Sequence, residues 1–249
     1  GLGELVAATA AAVTALGGEA RVGQPCTSLQ ADVPPHAGAA HAGWRVDGEP
    51  YDAVVLACPA AQAARLLAGH EAATPLGRIE YADVVMVTLA VPAASWPERL
   101  HGLSGYLVPK PMQHLVTAAS FGSQKWPHWR AAGAAGAGRG EQVILRISLG
   151  RDGLPVMHLD DAALIAAAVT EVSSHIGVDL QPTDVRLTRW QRAFPQYRPH
   201  HARTVAAIEA MLPPTLVLAG ASYHGIGIPT CVRSGEQAAA RLRALVTSV

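Results

Sequence analysis

Leu216-Val217-Leu218-Ala219-Gly220-Ala221-Ser222-Tyr223-His224-Gly225-Ile226-Gly227-Ile228-Pro229, running on into Thr230-Cys231-Val232-Arg233-Ser234-Gly235, is the stretch whose reading decides the fold class of this chain. Its first four residues form an apolar run short enough for a buried strand. The strand ends in Gly220, and Gly225-x-Gly227 then lets the main chain approach a planar ligand with no Cβ between them. Pro229 suits the first turn of a helix, where its missing N–H costs nothing. The free N–H groups and the positive dipole end of that helix favour an electron-rich ligand edge. On spacing alone a tight structural turn and a ligand site both remain open.

Working outward, the rest of the chain alternates the same two patterns. Leu2, Leu5, Val6, Thr9, Val13 and Leu16 follow helical spacing and Gly17-Gly18 supplies a left-handed stop, so a helix is expected over 2–16. A short strand is expected near Ala20 to Val22. Strands over Cys26 to Gln30 and Trp44 to Val46 flank a Pro/Gly/Ala/His loop, and Tyr51 to Ala57 reads as one buried strand. Ala60 to Leu67 is a helix candidate leading to a linker at 72–77. From Ile79 the pattern turns to strands at Val84 to Val91, Gly105 to Val108, Leu115 to Ser120 and Val143 to Leu149. Ala131 to Gly140, all Ala, Gly and Arg, should form a mobile surface loop. Asp160 and Asp161 offer a cap for a helix that places Leu164, Ile165, Ala168, Val169 and Val172 on one face. A strand at Asp184 to Trp190, a helix at His201 to Met211 and a final helix at about 230–246, burying Ala238, Leu242 and Leu245, complete the pass.

Composition narrows the function classes. The 249 residues are 50% hydrophobic and 15% charged, enough to bury a sizeable core. Lys plus Arg and Asp plus Glu both number 19, so no net field points to nucleic acid or an anionic membrane surface. No apolar run approaches a membrane span. The 3 cysteines, Cys26, Cys58 and Cys231, are widely separated, against both a disulfide framework and a zinc site. Among 11 histidines no His-x-x-x-His occurs, and the metal reading is rejected. Neither a nucleophile elbow nor a carboxylate pair can be argued, so hydrolase chemistry has no support. The chain opens on Gly1 and its first methionine is Met86, so it is expected to be a fragment of something longer.

Several blocks together resemble the protoporphyrinogen and coproporphyrinogen oxidases. Asp52 to Ala60 is similar to the family's strand ending in Leu-Ala-Thr-Pro-Ala, and Ile79 to Pro92 to a long strand that follows it. Leu107-Val108-Pro109 resembles its Leu-Val-Pro turn, and Lys125-Trp126-Pro127 its Lys-Trp-Pro block. Arg189-Trp190 with Pro195-Gln196-Tyr197 is similar to its Arg-Trp and Pro-Gln-Tyr segment, although Phe194 stands where the family has methionine. The opening stretch resembles its closing FAD contact.

The resemblance implies an α/β (α+β) chain. A partial FAD-binding, glutathione-reductase-like domain at 1–74 and 201–249 would carry an inserted mixed or antiparallel substrate-binding domain at 75–200. It implies flavin contacts through the backbone of Gly220, Gly225, Ile226, Gly227 and Ile228. Trp190 would lie beside the flavin and Cys26 at the adenine end. Leu107, Val108 and Trp126 would wall the substrate cavity, though ordinary packing on strands stays open for each. The implied reaction is FAD-dependent oxidation of a porphyrinogen, with coproporphyrinogen III favoured over protoporphyrinogen IX and O2 as acceptor. No catalytic side chain is identifiable, since the cofactor supplies the redox chemistry. A cytoplasmic location is implied, with peripheral association at the inner face of the membrane left open.

The glycine fingerprint that grips a dinucleotide pyrophosphate is absent. The chain is therefore expected to need an N-terminal FAD-binding half, and alone to hold FAD weakly or not at all. A non-catalytic tetrapyrrole-binding module and another flavin enzyme of the amine-oxidase superfamily are the alternatives.

Overall fold

The structure is a computed structural model that describes residues 2–32, 43–129 and 140–246. The chain forms two compact units, one made of 1–77 and 202–249, the other of 78–201.

The first unit opens with helix α1 (Leu2–Ala15), closed at Gly17 with φ 83°. The expected strand at 20–22 does not form. No strand pairs with it among the described residues, and Arg21 instead bonds the carboxylates of Glu19 and Glu49. Strands β1 (Leu29–Asp32), β2 (Gly43–Val46) and β3 (Glu49–Tyr51) make an antiparallel meander. The loop expected between β1 and β2 lies outside the described residues. Asp47-Gly48 turns β2 into β3 with φ 49° and 89°, the left-handed pair that a two-residue hairpin requires. The single strand expected over 51–57 is divided, because Asp52-Ala53 breaks the pairing. Tyr51 ends the meander, while β4 (Val54–Leu56) joins a parallel pair. Helix α2 (Ala60–Leu66) follows Pro59, and the expected linker at 72–77 instead contains helix α3 (Ala73–Gly77), which buries Leu76.

In the second unit, β5 (Tyr81–Pro92), β6 (Gly105–Leu107), β7 (Val116–Phe121), β8 (Gln142–Leu149) and β9 (Asp184–Pro195) form an antiparallel sheet of order β6-β7-β8-β5-β9. A short helix α4 (Gly122–Lys125) follows β7, and helix α5 (Asp161–Ile176) lies between β8 and β9 in sequence. Of the loop expected over Ala131 to Gly140, residues 131–139 lie outside the described residues. The Asp160 carboxylate accepts from the Ala163 N–H at 2.7 Å, and Gly177 ends α5 at φ 60°, a paired N-cap and left-handed stop. Leu164, Ala168, Val172 and Ile176 on α5 are buried in one core with Val85, Val87, Leu89 and Val91 of β5 and Val143, Leu145, Ile147 and Leu149 of β8. Period-two alternation therefore commits the odd-numbered residues of β5 and β8 to the helix side. Their even-numbered neighbours face away from it.

The chain then returns to the first unit through helix α6 (His201–Met211), strand β10 (Leu216–Leu218) and helix α7 (Ile228–Val246). Strand β10 pairs in parallel with β4, Val217 beside Val55. Val217, Ala219 and Ala238 form a small buried cluster, with Leu242 packed against it. The chain is thus a mixed helix and sheet protein with antiparallel sheets. No helix among the described residues is long and apolar enough to cross a membrane.

Candidate functional site

The turn after β10 is held from four sides. Gly220 N–H donates to Ser234 Oγ at 3.0 Å, and Tyr223 Oη donates to the Cys58 carbonyl at 3.2 Å. His224 Nε2 lies 3.1 Å from Glu209 Oε1, and Cys231 Sγ donates to the Gly225 carbonyl at 3.5 Å. Tyr223 and Ser234 are buried. Helix α7 starts at Ile228, one residue ahead of the proline expected to open it, and both Thr230 and Cys231 N–H bond the Gly227 carbonyl. The N–H groups of Gly227 and Ile228 keep no partner among the described residues.

Two glycines of this turn differ in a way that bears on a flavin. Gly225 has φ 128°, and a Cβ there would lie 2.5 Å from Thr230 Cγ2, so the fold itself demands glycine. At Gly227 φ is not positive, and a Cβ would meet nothing nearer than Thr230 Oγ1 at 3.7 Å. The chain leaves room for a side chain at 227 and has none. Beside it Ile226 and Ile228 hold their side chains 44% and 46% exposed. An open glycine, two unspent N–H groups and flanking apolar side chains fit the edge of a planar, electron-rich ring such as the flavin's.

Cys26 lies just before β1 in the same unit and is exposed. Asp47 Oδ1 accepts from the N–H of Thr27 and Ser28 at 2.9 and 2.8 Å, fixing the main chain beside it. Partial desolvation by its neighbours and, less strongly, the Asp47 charge push the Cys26 thiol up. The hydrogen bonds from Thr27 and Ser28 hold the Asp47 carboxyl below its usual range.

The second unit carries Trp190, Leu107, Val108 and Trp126. Arg189 and Trp190 point to opposite faces of β9. Arg189 turns to the helix side, donating to Asp161 Oδ1 at 2.6 Å and to the Leu159 carbonyl at 2.7 Å. Trp190 lies opposite Val84 on the other face, where it is 53% exposed. A bulge follows: pairing shifts between Ala82 and Val84, Arg192 has φ 45°, and its N–H donates to Asp83 Oδ1 at 2.6 Å.

That sheet face floors a cavity of 630 Å³, within the range of about 300–1,000 Å³ usual for small-molecule sites. Ala82, Val84 and Met86 of β5 and Trp190, Ala193 and Phe194 of β9 supply its apolar surface. Ser148, Gln196 and Gly150 also line it, as do the charged Lys110, Arg146, Arg151 and Asp152. Leu107, Val108 and Trp126 stand apart from this lining: Leu107 is exposed, Val108 is buried in the core, and Trp126 follows α4 with Lys125 Nζ 5.5 Å from its ring centroid.

Arg146 and Met86 are not singled out as site residues by the sequence, because strand register and not sequence spacing brings them to one face, and Lys110 reaches the same cavity from the 3-10 turn after Pro109. Ser234, Tyr223 and Asp83 position the turn and the bulge without lining the cavity. The period-two alternation of β5 and β8 was the one sequence signal that could have found Met86 and Arg146.

The chain is similar to several known proteins. The coproporphyrinogen III oxidase of Mycobacterium tuberculosis is 39% identical over 194 residues, covering 75% of this chain and 39% of that protein. A protoporphyrinogen oxidase of Bos taurus is 27% identical over 258 residues, covering 97% of this chain and 50% of that protein. A crystal structure from Exiguobacterium sp. 255-15, provisionally described as a protoporphyrinogen oxidase, superposes with a TM-score of 0.67 at 23% identity, covering 88% of this chain and 46% of that one. The chain thus spans half or less of the length of each. The family model for flavin containing amine oxidoreductases matches residues 1–243. The chain belongs to that family of FAD-dependent oxidoreductases.

Proposed function

We propose that this chain is the C-terminal portion of an enzyme that oxidises a porphyrinogen to the porphyrin, with FAD as cofactor and O2 as acceptor. Coproporphyrinogen III is favoured over protoporphyrinogen IX. The observation that carries the reading is the open glycine at 227 with unspent N–H groups beside it, the arrangement a bound ring edge needs. The wide apolar sheet face under the 630 Å³ cavity supports it, since a tetrapyrrole presents a broad flat face.

In this reading bound FAD supplies the redox chemistry. The N–H groups of Gly227 and Ile228, with the dipole of α7, stabilise negative charge at the ring edge. Ser234, Tyr223 and Cys231 hold that turn in place. Trp190 keeps the role beside the flavin that the resemblance implies, while Phe194 and Met86 receive the apolar face of the substrate and exclude water from it. Cys26 contacts the adenine end through its main chain, and Leu107, Val108 and Trp126 line a further part of the substrate path. The first unit is then a partial FAD-binding domain and the second the substrate domain. The pyrophosphate grip comes from an N-terminal half outside these 249 residues. Such an enzyme works in the cytoplasm or at the inner face of the cell membrane.

The test joins this chain to such a half and follows porphyrin fluorescence and O2 uptake with each porphyrinogen. Faster turnover of coproporphyrinogen III supports the reading, and no turnover of either sinks it. Porphyrin binding without flavin binding in the joined protein favours the non-catalytic module instead. The chain by itself should leave gel filtration colourless; retained flavin absorbance contradicts the need for a second half.

A further inference from the structure

The cavity of the second unit carries two cationic side chains, Arg146 and Lys110, that form no salt bridge among the described residues, although the Lys110 charge is felt by Asp152 on the same rim. Arg146 sits on β8 opposite Thr88, in the row that faces away from α5. Its guanidinium carbon lies 6.0 Å from the Trp129 ring centroid, within cation–π reach. Trp129 in turn rests on Gly122, where a Cβ would come within 2.2 Å of the indole. The ring thus fixes the guanidinium in direction while leaving its N–H donors unspent.

Lys110 follows Pro109 at the head of a short 3-10 turn and reaches the same cavity. Neither side chain makes a hydrogen bond or ion pair among the described residues. The neighbouring cations differ. Arg151 donates to Gln113 Oε1 at 2.5 Å and to the Asp152 carbonyl at 2.6 Å. The carboxylate on this rim, Asp152, is already bridged by Arg198 at 2.6 and 3.0 Å, and that bridge holds its carboxyl below the usual range. Two cations without a salt bridge at the edge of an apolar floor suit an amphiphilic ligand with a flat body and peripheral carboxylates.

We propose that Lys110 and Arg146 form a carboxylate-binding rim that takes propionate side chains of the tetrapyrrole and favours substrates with four carboxylates over those with two. The inference rests on the porphyrinogen reading above and adds the groups that choose between its two substrates. Arg146 grips one carboxylate through its planar fork, and Lys110 adds a second positive point.

The test titrates the protein with coproporphyrin III, which has four carboxylates, and deuteroporphyrin IX, which has two, following the quenching of tryptophan fluorescence. Wild-type protein is expected to bind coproporphyrin III the more tightly, with affinity falling as salt rises. The double variant K110Q/R146Q should lose about tenfold or more for coproporphyrin III and bring the two ligands close together. R146K, which keeps the charge but loses the planar fork, should fall between wild type and the double variant. Unchanged coproporphyrin binding in the double variant overturns the rim while leaving the porphyrinogen reading intact. No binding of either porphyrin by wild-type protein overturns both. An equal loss for both ligands, with a lowered unfolding midpoint, assigns the residues to the fold and overturns the rim.

Discussion

Replacing Gly227 with alanine separates what the fold needs at the turn from what a ligand needs. A Cβ at 227 meets only Thr230 Oγ1 at 3.7 Å and Pro229 Cδ at 3.9 Å, ordinary contacts, and φ there is not positive. The folded chain therefore accommodates alanine, and the unfolded chain loses freedom, for a gain of about 0.4–1 kcal/mol. A ring seated against the main chain instead meets an extra methyl. Overpacking of that kind costs about 1–3 kcal/mol, or about 5- to 150-fold in FAD affinity.

Gly225 is the contrast. Alanine at φ 128° carries about 1–3 kcal/mol of backbone strain. Moving Thr230, whose Cγ2 stands 2.5 Å from the new Cβ, adds about 0.5–1.5 kcal/mol. Urea unfolding followed by tryptophan fluorescence measures the stability of each variant. Titration of FAD against the protein joined to its proposed N-terminal half, and at higher concentration against the chain itself, measures affinity. G227A should lose affinity without losing stability, and G225A should lose stability. The reasoning is refuted if G227A is destabilised by more than about 1 kcal/mol, or if it binds FAD within twofold of wild type.

Other consequences concern the sheet unit and acid stability. Asp83→Ala removes the acceptor of the Arg192 N–H and should cost about 1 kcal/mol. It should also shift Trp190 emission in a W44F/W96F/W126F/W129F background; unaltered emission counts against a positioning role. Leu164→Ala, fully buried where α5 meets the sheet, should cost about 2–5 kcal/mol by urea titration, and a smaller loss means that helix collapses onto the gap. The carboxyls of Asp47, Glu49 and Asp152 are held below their usual range by hydrogen bonds from Thr27 and Ser28, from Arg21, and from Arg198 respectively. Their contribution is therefore complete above about pH 5 and drains away as pH falls through the unfolded and then the lower folded values. An unfolding midpoint that holds constant from neutral pH to about pH 3 contradicts this.

What reads directly from the sequence is local. The odd-numbered apolar residues from Val85 to Val91 and from Val143 to Leu149 mark a half-buried strand wherever the chain places them. Asp160 caps α5 through its own side chain, and Gly177 stops it because glycine alone takes φ 60° without strain. The split of 51–57 escapes such reading, since both segments are short and apolar and only their different partners, β2 and β10, divide them. The strand missing at 20–22 fails for the matching reason: three residues of suitable type make no strand without an edge to pair with.

Several blocks in order, the glycine turn among them, carry the family resemblance in the sequence, since on spacing alone the turn leaves a structural role and a ligand site both open. The sequence could not say which glycine the fold demands and which it leaves open. Only tertiary packing puts Thr230 against Gly225 and leaves Gly227 open. The cavity belongs wholly to the tertiary structure. Met86, Arg146 and Trp190 share a face because β5 lies between β8 and β9 in one register, and the Asp83 bulge re-aims β9 beside them. Pairing register is a long-range choice, and no local pattern in a single strand records it.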